Sequence, residues 1–200
     1  MIGFEEMAAV LLCAGRSTRF GAGDKLMAPL RGMPLAAHAA DRLASLPLGW
    51  RIAVVKVGKS ADPLRALLSG RGFALVDNDR PEDGQDASLR LGIGHALTQC
   101  PRAILVCLGD MPDVGLAYLS ALAAAADDET AAIGWTGDWQ SPPLILPAGL
   151  AKSLLAQPQR RVREILTSGD VARVPVSARQ LRDYDTSDDF AGNVGGRGKD

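Results

Sequence analysis

The chain has 200 residues, of which 47% are hydrophobic and 22% charged, and its net charge is −1. These values exclude a disordered or collagen-like chain, and the length is typical of one domain that needs no disulfide or structural metal to fold. The near-neutral charge argues against a nucleic-acid partner. No apolar run is long enough for a transmembrane helix, which argues against a membrane partner. Three cysteines without metal-site spacing favour a cytoplasmic location, and the amino terminus lacks the basic leader of a signal peptide.

Apolar runs that predict strands alternate with helical patterns along the chain. Strands are predicted at 7–13, 52–57, 73–76, 103–108, 131–135, 144–146 and 171–176. Helices are predicted at 34–46, 62–68 (with Asp62 as N-cap), 86–97, 115–126 and 161–166. This alternation predicts an α/β fold of three layers, a mostly parallel sheet with helices on both faces. We expect one domain over residues 1–191 and a disordered glycine-rich tail over 192–200.

In such sheets, ligands bind beyond the carboxyl ends of the strands, which directs attention to two loops. The first loop, AGRSTRFGAGDK, contains glycines and small residues together with the cations Arg16, Arg19 and Lys25. Glycine lets backbone N–H groups converge on an anion, and basic side chains can neutralise phosphate oxygens. The loop is therefore a candidate phosphate site, with an ordinary surface loop as the alternative, although neither G-x-x-x-x-G-K-[ST] nor G-x-G-x-x-G occurs.

The second loop, LGDMPDV, places Asp110 where the predicted strand 103–108 ends. Carboxylates are the hard oxygen ligands that Mg²⁺ accepts beside substrate phosphates. The alternative is that Asp110 or Asp113 caps the following helix. A third acidic segment, RDYDTSDDF, offers Asp183 or Asp185 as a second metal ligand, or else forms a solvated turn.

Several short segments, taken in order, resemble the molybdenum cofactor nucleotidyltransferases of the wider nucleoside-triphosphate transferase superfamily. The family pattern L-A-[AG]-G-x-S-x-R-M-G-x-x-K-L-L is similar to LLCAGRSTRFGAGDKLM, with Cys13 in place of alanine and Phe20 in place of methionine. NDRPEDGQDASL resembles N-P-x-x-x-x-G-Q-x-x-S-L, G-D-M-P is intact, and DYDTSDDF resembles the closing D-I-D-T-P-E-D-L. In the element similar to G-x-P-x-x-F, Gln140 replaces the usual glycine.

The resemblance implies a Rossmann-like nucleotidyltransferase fold, similar to the GT-A type, and Mg²⁺-dependent transfer of a nucleotidyl group. A terminal phosphate of molybdopterin would attack the nucleotide's α-phosphate and release pyrophosphate. It implies catalytic roles for Arg19, Lys25 and Asp110, and metal ligation by Asp110 and, less directly, Asp185. The nucleotide-binding set that it implies is Leu12, Ala14, Gly15, Arg16, Ser17, Arg19, Lys25, Asn78, Ser88 and Asp110.

The LCAG segment and the intact G-Q-x-x-S-L resemble the cytidylyltransferases of the family more than its guanylyltransferases, so CTP is the predicted nucleotide. Transfer from GTP or to another acceptor is the first alternative. A nucleotide-binding accessory protein that serves a molybdoenzyme without catalysis is the alternative of another class. A molybdoenzyme or its chaperone is a further expected partner.

Overall fold

The computed structural model describes residues 2–15, 20, 23–137, 142–168, 170–186 and 189–190. The tail over 192–200, predicted to be disordered, lies outside the described residues. The strands are β1 (Met7–Cys13), β2 (Pro29–Leu30), β3 (Met33–Pro34), β4 (Trp50–Lys56), β5 (Ala74–Asn78), β6 (Ala103–Leu108), β7 (Ala131–Trp135), β8 (Leu144–Pro147) and β9 (Val171–Pro175). The helices are α1 (Leu35–Ala44), α2 (Asp62–Ser69), α3 (Gln85–Leu97), α4 (Leu116–Ala125), α5 (Ala148–Ala156) and α6 (Val162–Ser168).

Seven of these strands form one sheet in the order β5-β4-β1-β6-β8-β7-β9, and β2 pairs with β3 in a separate hairpin. Strands β5, β4, β1 and β6 run parallel to one another, and β7 pairs with β9 in parallel. Strand β8 is antiparallel to both β6 and β7. The predicted α/β fold with a mostly parallel sheet is therefore confirmed, and β8 is the antiparallel exception.

Each face of the sheet carries its own apolar core, because successive side chains of a strand point to opposite faces. Met7, Ala9 and Leu11 of β1 pack in one core with residues of α1, α2 and α4. Ala8 and Val10 pack in the other core with residues of α3, α5 and α6. Strands buried on both faces explain the continuous apolar runs in the sequence, and the helices on both faces confirm the predicted three layers.

Some sequence predictions need correction at the level of single elements. Asp62 is the first residue of α2 rather than its N-cap, which is Ala61. Pro34 is the N-cap of α1 and lies just before its first turn. Helix α5 was not predicted, because it begins directly after β8 with no intervening turn residues. None of the helices in the described part of the chain has the length and hydropathy that crossing a bilayer requires.

Candidate active site

A cavity of about 350 Å³ opens where β1 and β6 end, beside the start of α3. This is the edge of the sheet at which ligands of open α/β folds bind. Polar and small residues dominate the walls, and Leu12, Leu26 and Leu108 supply the apolar part. The lining residues are Leu12, Ala14, Gly15, Lys25, Leu26, Pro81, Glu82, Gly84, Gln85, Ser88, Leu108, Asp110 and Asp185.

Three charged side chains from distant parts of the sequence meet in this cavity. The ammonium of Lys25 lies 2.7 Å from Asp110 Oδ2 and 2.6 Å from Asp185 Oδ1. The side chain of Lys25 is 10% exposed, and those of Asp110 and Asp185 are 21% and 32% exposed. One cation therefore bridges two carboxylates that remain open to the cavity.

The chain fixes Lys25 through a short turn and a second ion pair. Residues 25–27 form one 3₁₀ turn, and Asp24 is its N-cap, because its Oδ1 accepts the N–H of Leu26 at 3.1 Å. Lys56, the last residue of β4, places its ammonium 2.9 Å from Asp24 Oδ2. The cap and the ion pair fasten the turn to the sheet and direct Lys25 toward the end of β6.

Asp110 follows β6 after a glycine that the packing requires. A Cβ on Gly109 would lie 2.7 Å from Cys13 Sγ and 3.3 Å from the Leu12 carbonyl oxygen. The Gly109 N–H donates to that carbonyl at 3.0 Å, so the loop remains against the end of β1. The absence of a side chain at position 109 thus permits the close approach that brings Asp110 to Lys25.

The electrostatics of Lys25 favour its charged form. Burial of the ammonium lowers its pKa, but the charges of Asp110 and Asp185 and their hydrogen bonds outweigh burial, and the net pKa lies above that of an ordinary lysine. At neutral pH the site therefore contains one fixed positive charge between two carboxylates.

The donor set fits a hard divalent cation that shares the site with phosphates. Mg²⁺ is typically held by one or two carboxylates together with substrate phosphate oxygens, and the carboxylates of Asp110 and Asp185 converge on one point, the Lys25 ammonium. Within the described ranges no cluster of three or more His, Cys, Asp or Glu side chains is present. Substrate oxygens and water molecules typically supply the remaining ligands of Mg²⁺ at such a site.

Of the two aspartates proposed for the second carboxylate, Asp185 lines the cavity and contacts Lys25. Burial raises the pKa of Asp183, and the negative charges of Asp185 and Asp110 raise it further. Because Asp185 lines the cavity and Asp183 does not, the placement favours Asp185 as the second carboxylate.

Ser88 lines the cavity, whereas Asn78 does not. The side-chain amide of Asn78 is buried and donates to Ser88 Oγ at 2.9 Å, while its carbonyl oxygen accepts the Arg80 N–H at 2.9 Å. Asn78 thus holds Ser88 and the turn before α3, and its predicted role in nucleotide binding stays a prediction.

Some of the remaining predicted site residues line the cavity, and the others lie outside the residues that the structure describes. Leu12, Ala14 and Gly15 line the cavity at the end of β1. Arg16, Ser17 and Arg19 lie outside the described residues, and so does Gln140. The alternative in which Asp110 or Asp113 caps the following helix is wrong, because the N-cap of α4 is Gly115.

Sequence reasoning assigned no role to a second group of cavity residues at the start of α3. Pro81, Glu82, Gly84 and Gln85 line the wall. Gly84 is the N-cap of α3, with a φ of 89° that glycine adopts without strain. The G-Q pair within NDRPEDGQDASL marks this wall, and the helix N-terminus adds backbone N–H groups that attract anions.

Proteins with similar sequences include a molybdenum cofactor guanylyltransferase and a bifunctional GlmU protein. The chain is 26% identical over 181 residues to the molybdenum cofactor guanylyltransferase of Serratia proteamaculans, which covers 88% of this chain and 87% of that protein. It is 34% identical over 137 residues to the bifunctional protein GlmU of Allorhizobium ampelinum, covering 64% of this chain. The chain spans only 28% of the length of that GlmU.

Two solved structures share the fold. A nucleotidyl transferase from Methanothermobacter thermautotroptrophicus superposes with a TM-score of 0.78 at 24% identity, covering 93% of this chain and 94% of that one. A manganese complex of Rv0371C from Mycobacterium tuberculosis gives a TM-score of 0.69 at 22% identity, covering 96% and 99%. The model of the MobA-like NTP transferase domain matches residues 9–174. The chain therefore belongs to the family of MobA-like NTP transferase domains, a nucleotidyltransferase family.

Proposed function

We propose that this protein transfers a nucleotidyl group from a nucleoside triphosphate, CTP in the first instance, to the terminal phosphate of a molybdopterin-type acceptor, with Mg²⁺ as cofactor. The observation that carries the proposal is the Lys25 ammonium between the carboxylates of Asp110 and Asp185 at the mouth of the cavity. A cation and two hard carboxylates suit the charge of a triphosphate and its metal. The name of the Serratia relative supports the acceptor class.

In the proposed reaction, an oxygen of the acceptor phosphate forms a bond to the α-phosphorus of the nucleotide. The bond from that phosphorus to the oxygen bridging the α- and β-phosphates breaks, and pyrophosphate leaves with the electron pair. Lys25 neutralises phosphate oxygens as their charge develops, and the backbone around Gly15 and the start of α3 positions the triphosphate. Arg19 is proposed to contribute a second cation from the first loop.

Asp110 and Asp185 are the residues proposed to hold the metal ion. When bound, Mg²⁺ would supply charge neutralisation at the phosphate oxygens, its general role in phosphoryl and nucleotidyl transfer. Such chemistry requires positioning and charge rather than a nucleophilic side chain. The burial of Cys13 and Cys107, 1% and 4% exposed, agrees with a mechanism that uses neither thiol.

The choice of CTP rests on the LCAG segment and on Ala14. Ala14 is 3% exposed and lines the cavity, and a glycine at this position would leave more space for a larger base. A pyrimidine is smaller than a purine, so the methyl group favours CTP. GTP is the second candidate, and the guanylyltransferase name of the Serratia relative favours it.

The proposal is tested by incubating purified protein with Mg²⁺, molybdopterin and CTP, GTP or ATP in parallel. Pyrophosphate release is measured, and the product is weighed by mass spectrometry. Turnover with CTP, and a product heavier by one cytidylyl group, is the expected result. Turnover with GTP alone would replace CTP by GTP, and tight nucleotide binding without turnover would support the accessory protein instead.

A further inference from the structure

A cluster of polar side chains beside the carboxylates has no role in the reaction described so far. It consists of Arg31, Asp113 and Tyr184, and we call it the tyrosine triad. Arg31 Nη1 lies 2.8 Å from Asp113 Oδ1, and Arg31 Nη2 donates to the Tyr184 hydroxyl oxygen at 3.3 Å. That hydroxyl donates to Asp113 Oδ2 at 3.1 Å. The three side chains therefore form a closed ring of polar contacts.

The tyrosine triad joins three separate parts of the chain. Arg31 lies in the turn of the β2–β3 hairpin, Asp113 in the loop after β6, and Tyr184 in the segment that follows β9. Tyr184 is 2% exposed, and the side chain of Asp113 is 11% exposed. Burial raises the pKa of Asp113, but the Arg31 guanidinium, the Tyr184 hydroxyl and the charge of Arg179 together lower it more, so the pKa lies below its ordinary value. The ring is therefore ionic at neutral pH; Tyr184 and Asp113 are shielded from water, whereas Arg31 is exposed.

Tyr184 is bound at both ends to the loop that contains Asp110. Its backbone N–H donates to the Asp110 carbonyl oxygen at 3.1 Å, and its hydroxyl reaches Asp113 three residues further along. The residue after Tyr184 is Asp185, the second carboxylate on Lys25. Because Tyr184 fastens its own segment to the loop, it sets where the Asp185 carboxylate lies relative to that of Asp110.

The other side of Asp185 is also held. Its backbone N–H donates to Asp189 Oδ2 at 3.0 Å, and the Thr186 N–H donates to the same oxygen at 2.8 Å. The ring of Phe190 packs on Tyr184 with centroids 5.6 Å apart. Tyr184 therefore packs on Phe190 and directly precedes the backbone N–H groups of Asp185 and Thr186 that bind Asp189, so a shift of its side chain would be transmitted to Asp185.

The hairpin that supplies Arg31 adopts a costly backbone conformation. Arg31 has a φ of 50° and Gly32 a φ of 86°, as in the two-residue type I′ turn that joins short antiparallel strands. Glycine accepts this region without penalty, whereas an arginine does so at a cost. The turn presents the guanidinium to Asp113 and Tyr184. The contacts of Arg31 with these two side chains offset the strain of its backbone.

We propose that Tyr184 is a positioning residue that, with Asp113 and Arg31, sets the separation of the Asp110 and Asp185 carboxylates for metal binding. The proposal rests on the proposed function of these two carboxylates. Tyr184 touches neither the metal nor the substrate in this scheme and acts through the backbone of Asp110 and Asp185. The hydroxyl, rather than the aromatic ring, carries the effect.

The test compares Tyr184→Phe with Tyr118→Phe. The first variant loses the hydroxyl and keeps the ring that packs on Phe190. Tyr118 is the other tyrosine of the chain; it is 5% exposed, and its buried hydroxyl has no hydrogen-bond partner among the described residues. The affinity for Mn²⁺ alone is measured by electron paramagnetic resonance, together with the Mg²⁺ dependence of turnover and the thermal midpoint.

We expect Tyr184→Phe to bind Mn²⁺ about 10-fold more weakly and to require correspondingly more Mg²⁺, as when partners that orient metal ligands are removed. Tyr118→Phe should match the wild type in its Mn²⁺ affinity and in the Mg²⁺ dependence of its turnover. Asp113→Asn should also weaken Mn²⁺ binding and raise the Mg²⁺ requirement, as Tyr184→Phe does. Wild-type Mn²⁺ affinity in both Tyr184→Phe and Asp113→Asn, each folded, would overturn the positioning role.

Failure of this proposal and failure of the proposed function give different results. A wild-type protein that turns over CTP or GTP while Tyr184→Phe and Asp113→Asn both retain its Mn²⁺ affinity overturns the positioning role alone. A wild-type protein that binds no Mn²⁺ overturns the metal assignment and the positioning role with it. A wild-type protein that binds Mn²⁺ but transfers no nucleotide overturns the function, and the variants still decide the positioning role.

Discussion

Lys25 is the residue on which the charges of the site converge. Its ammonium contacts a carboxylate 85 positions further along the sequence and another 160 positions away. A pair of exposed ions contributes little to stability, but this lysine is largely buried. Without it, the two carboxylates would repel each other. Lys25 therefore keeps Asp110 and Asp185 together when no metal is bound.

This arrangement predicts two opposite effects of Lys25→Met. Turnover should fall about 100-fold, because a group that stabilises the developing phosphate charge is lost. The affinity of the nucleotide-free protein for Mn²⁺ should rise, because the ammonium no longer competes for the two carboxylates. Lys59→Met, which changes an exposed lysine, is the control. Unchanged or weaker Mn²⁺ binding in Lys25→Met would contradict this account of the site.

Ala14 provides a residue-level prediction about the base. Ala14→Gly removes the methyl group that lines the cavity and should favour the larger purine. The ratio of kcat/KM for GTP to that for CTP should rise about 10-fold, a typical effect of one methyl-sized group on selectivity. Because the ratio cancels any loss of active protein, an unchanged value would show that Ala14 does not select the base.

At the scale of elements, the packing of α3 on the sheet explains a glycine that lowers its helix propensity. A Cβ on Gly92 would lie 2.5 Å from Val10 Cγ1 and 2.9 Å from Val54 Cγ2. At Gly94 the nearest atom to such a Cβ would be Leu155 Cδ1, at 3.8 Å. The two glycines of one helix therefore face different constraints, although they look alike in the sequence.

The matched pair Gly92→Ala and Gly94→Ala tests this difference. Gly92→Ala should reduce the free energy of unfolding by about 1–3 kcal/mol, because the methyl group forces α3 away from β1 and β4. Gly94→Ala should raise it by about 0.5–1 kcal/mol, because alanine is the better helix former. Urea denaturation measures both values. Equal effects of the two substitutions would contradict the packing described here.

The sequence predicted the elements better than their contacts. Apolar runs located β1 and β6 because strands buried on both faces read as continuous hydrophobic segments. Helix α5 was missed because no turn residue separates it from β8. Asp110 was found from its place at a strand end, whereas the acidic segment left Asp183 and Asp185 as alternatives and the family resemblance favoured Asp185. The tyrosine triad was not predicted, because the contacts of Arg31 and Tyr184 depend on tertiary structure.

At the scale of the whole molecule, the core that packs on α1, α2 and α4 contains two buried thiols, Cys13 and Cys107, whose ionisation opposes folding. Burial raises the pKa of the Cys107 thiol to about 12, and burial together with the charges of Asp110 and Asp24 raises that of Cys13 above the ordinary range. The unfolded chain ionises its thiols near the ordinary pKa of 9.0. Since the folded state binds the thiol protons more tightly, stability is lost as the pH rises above that value.

The free energy of unfolding should therefore fall by about 1 kcal/mol per buried thiol between about pH 8 and about pH 10. Cys107→Ala should reduce this pH dependence by about half, whatever its effect on stability at pH 8. Cys100→Ser, at an exposed cysteine, should leave the dependence unchanged. Urea denaturation at several pH values measures the free energy of unfolding. The same pH dependence of this free energy in wild type and Cys107→Ala would argue against buried, protonated thiols.

The most direct test of the central claim is the turnover of Asp110→Asn, measured as pyrophosphate release with molybdopterin, Mg²⁺ and CTP or GTP. The substitution keeps the shape of the side chain and removes the charge that faces Lys25. The account predicts a fall of at least about 100-fold in the folded variant. Asp183→Asn, at the carboxylate that does not line the cavity, should retain turnover within a few-fold. Wild-type turnover in Asp110→Asn would contradict a nucleotidyl transfer centre built on Lys25, Asp110 and Asp185.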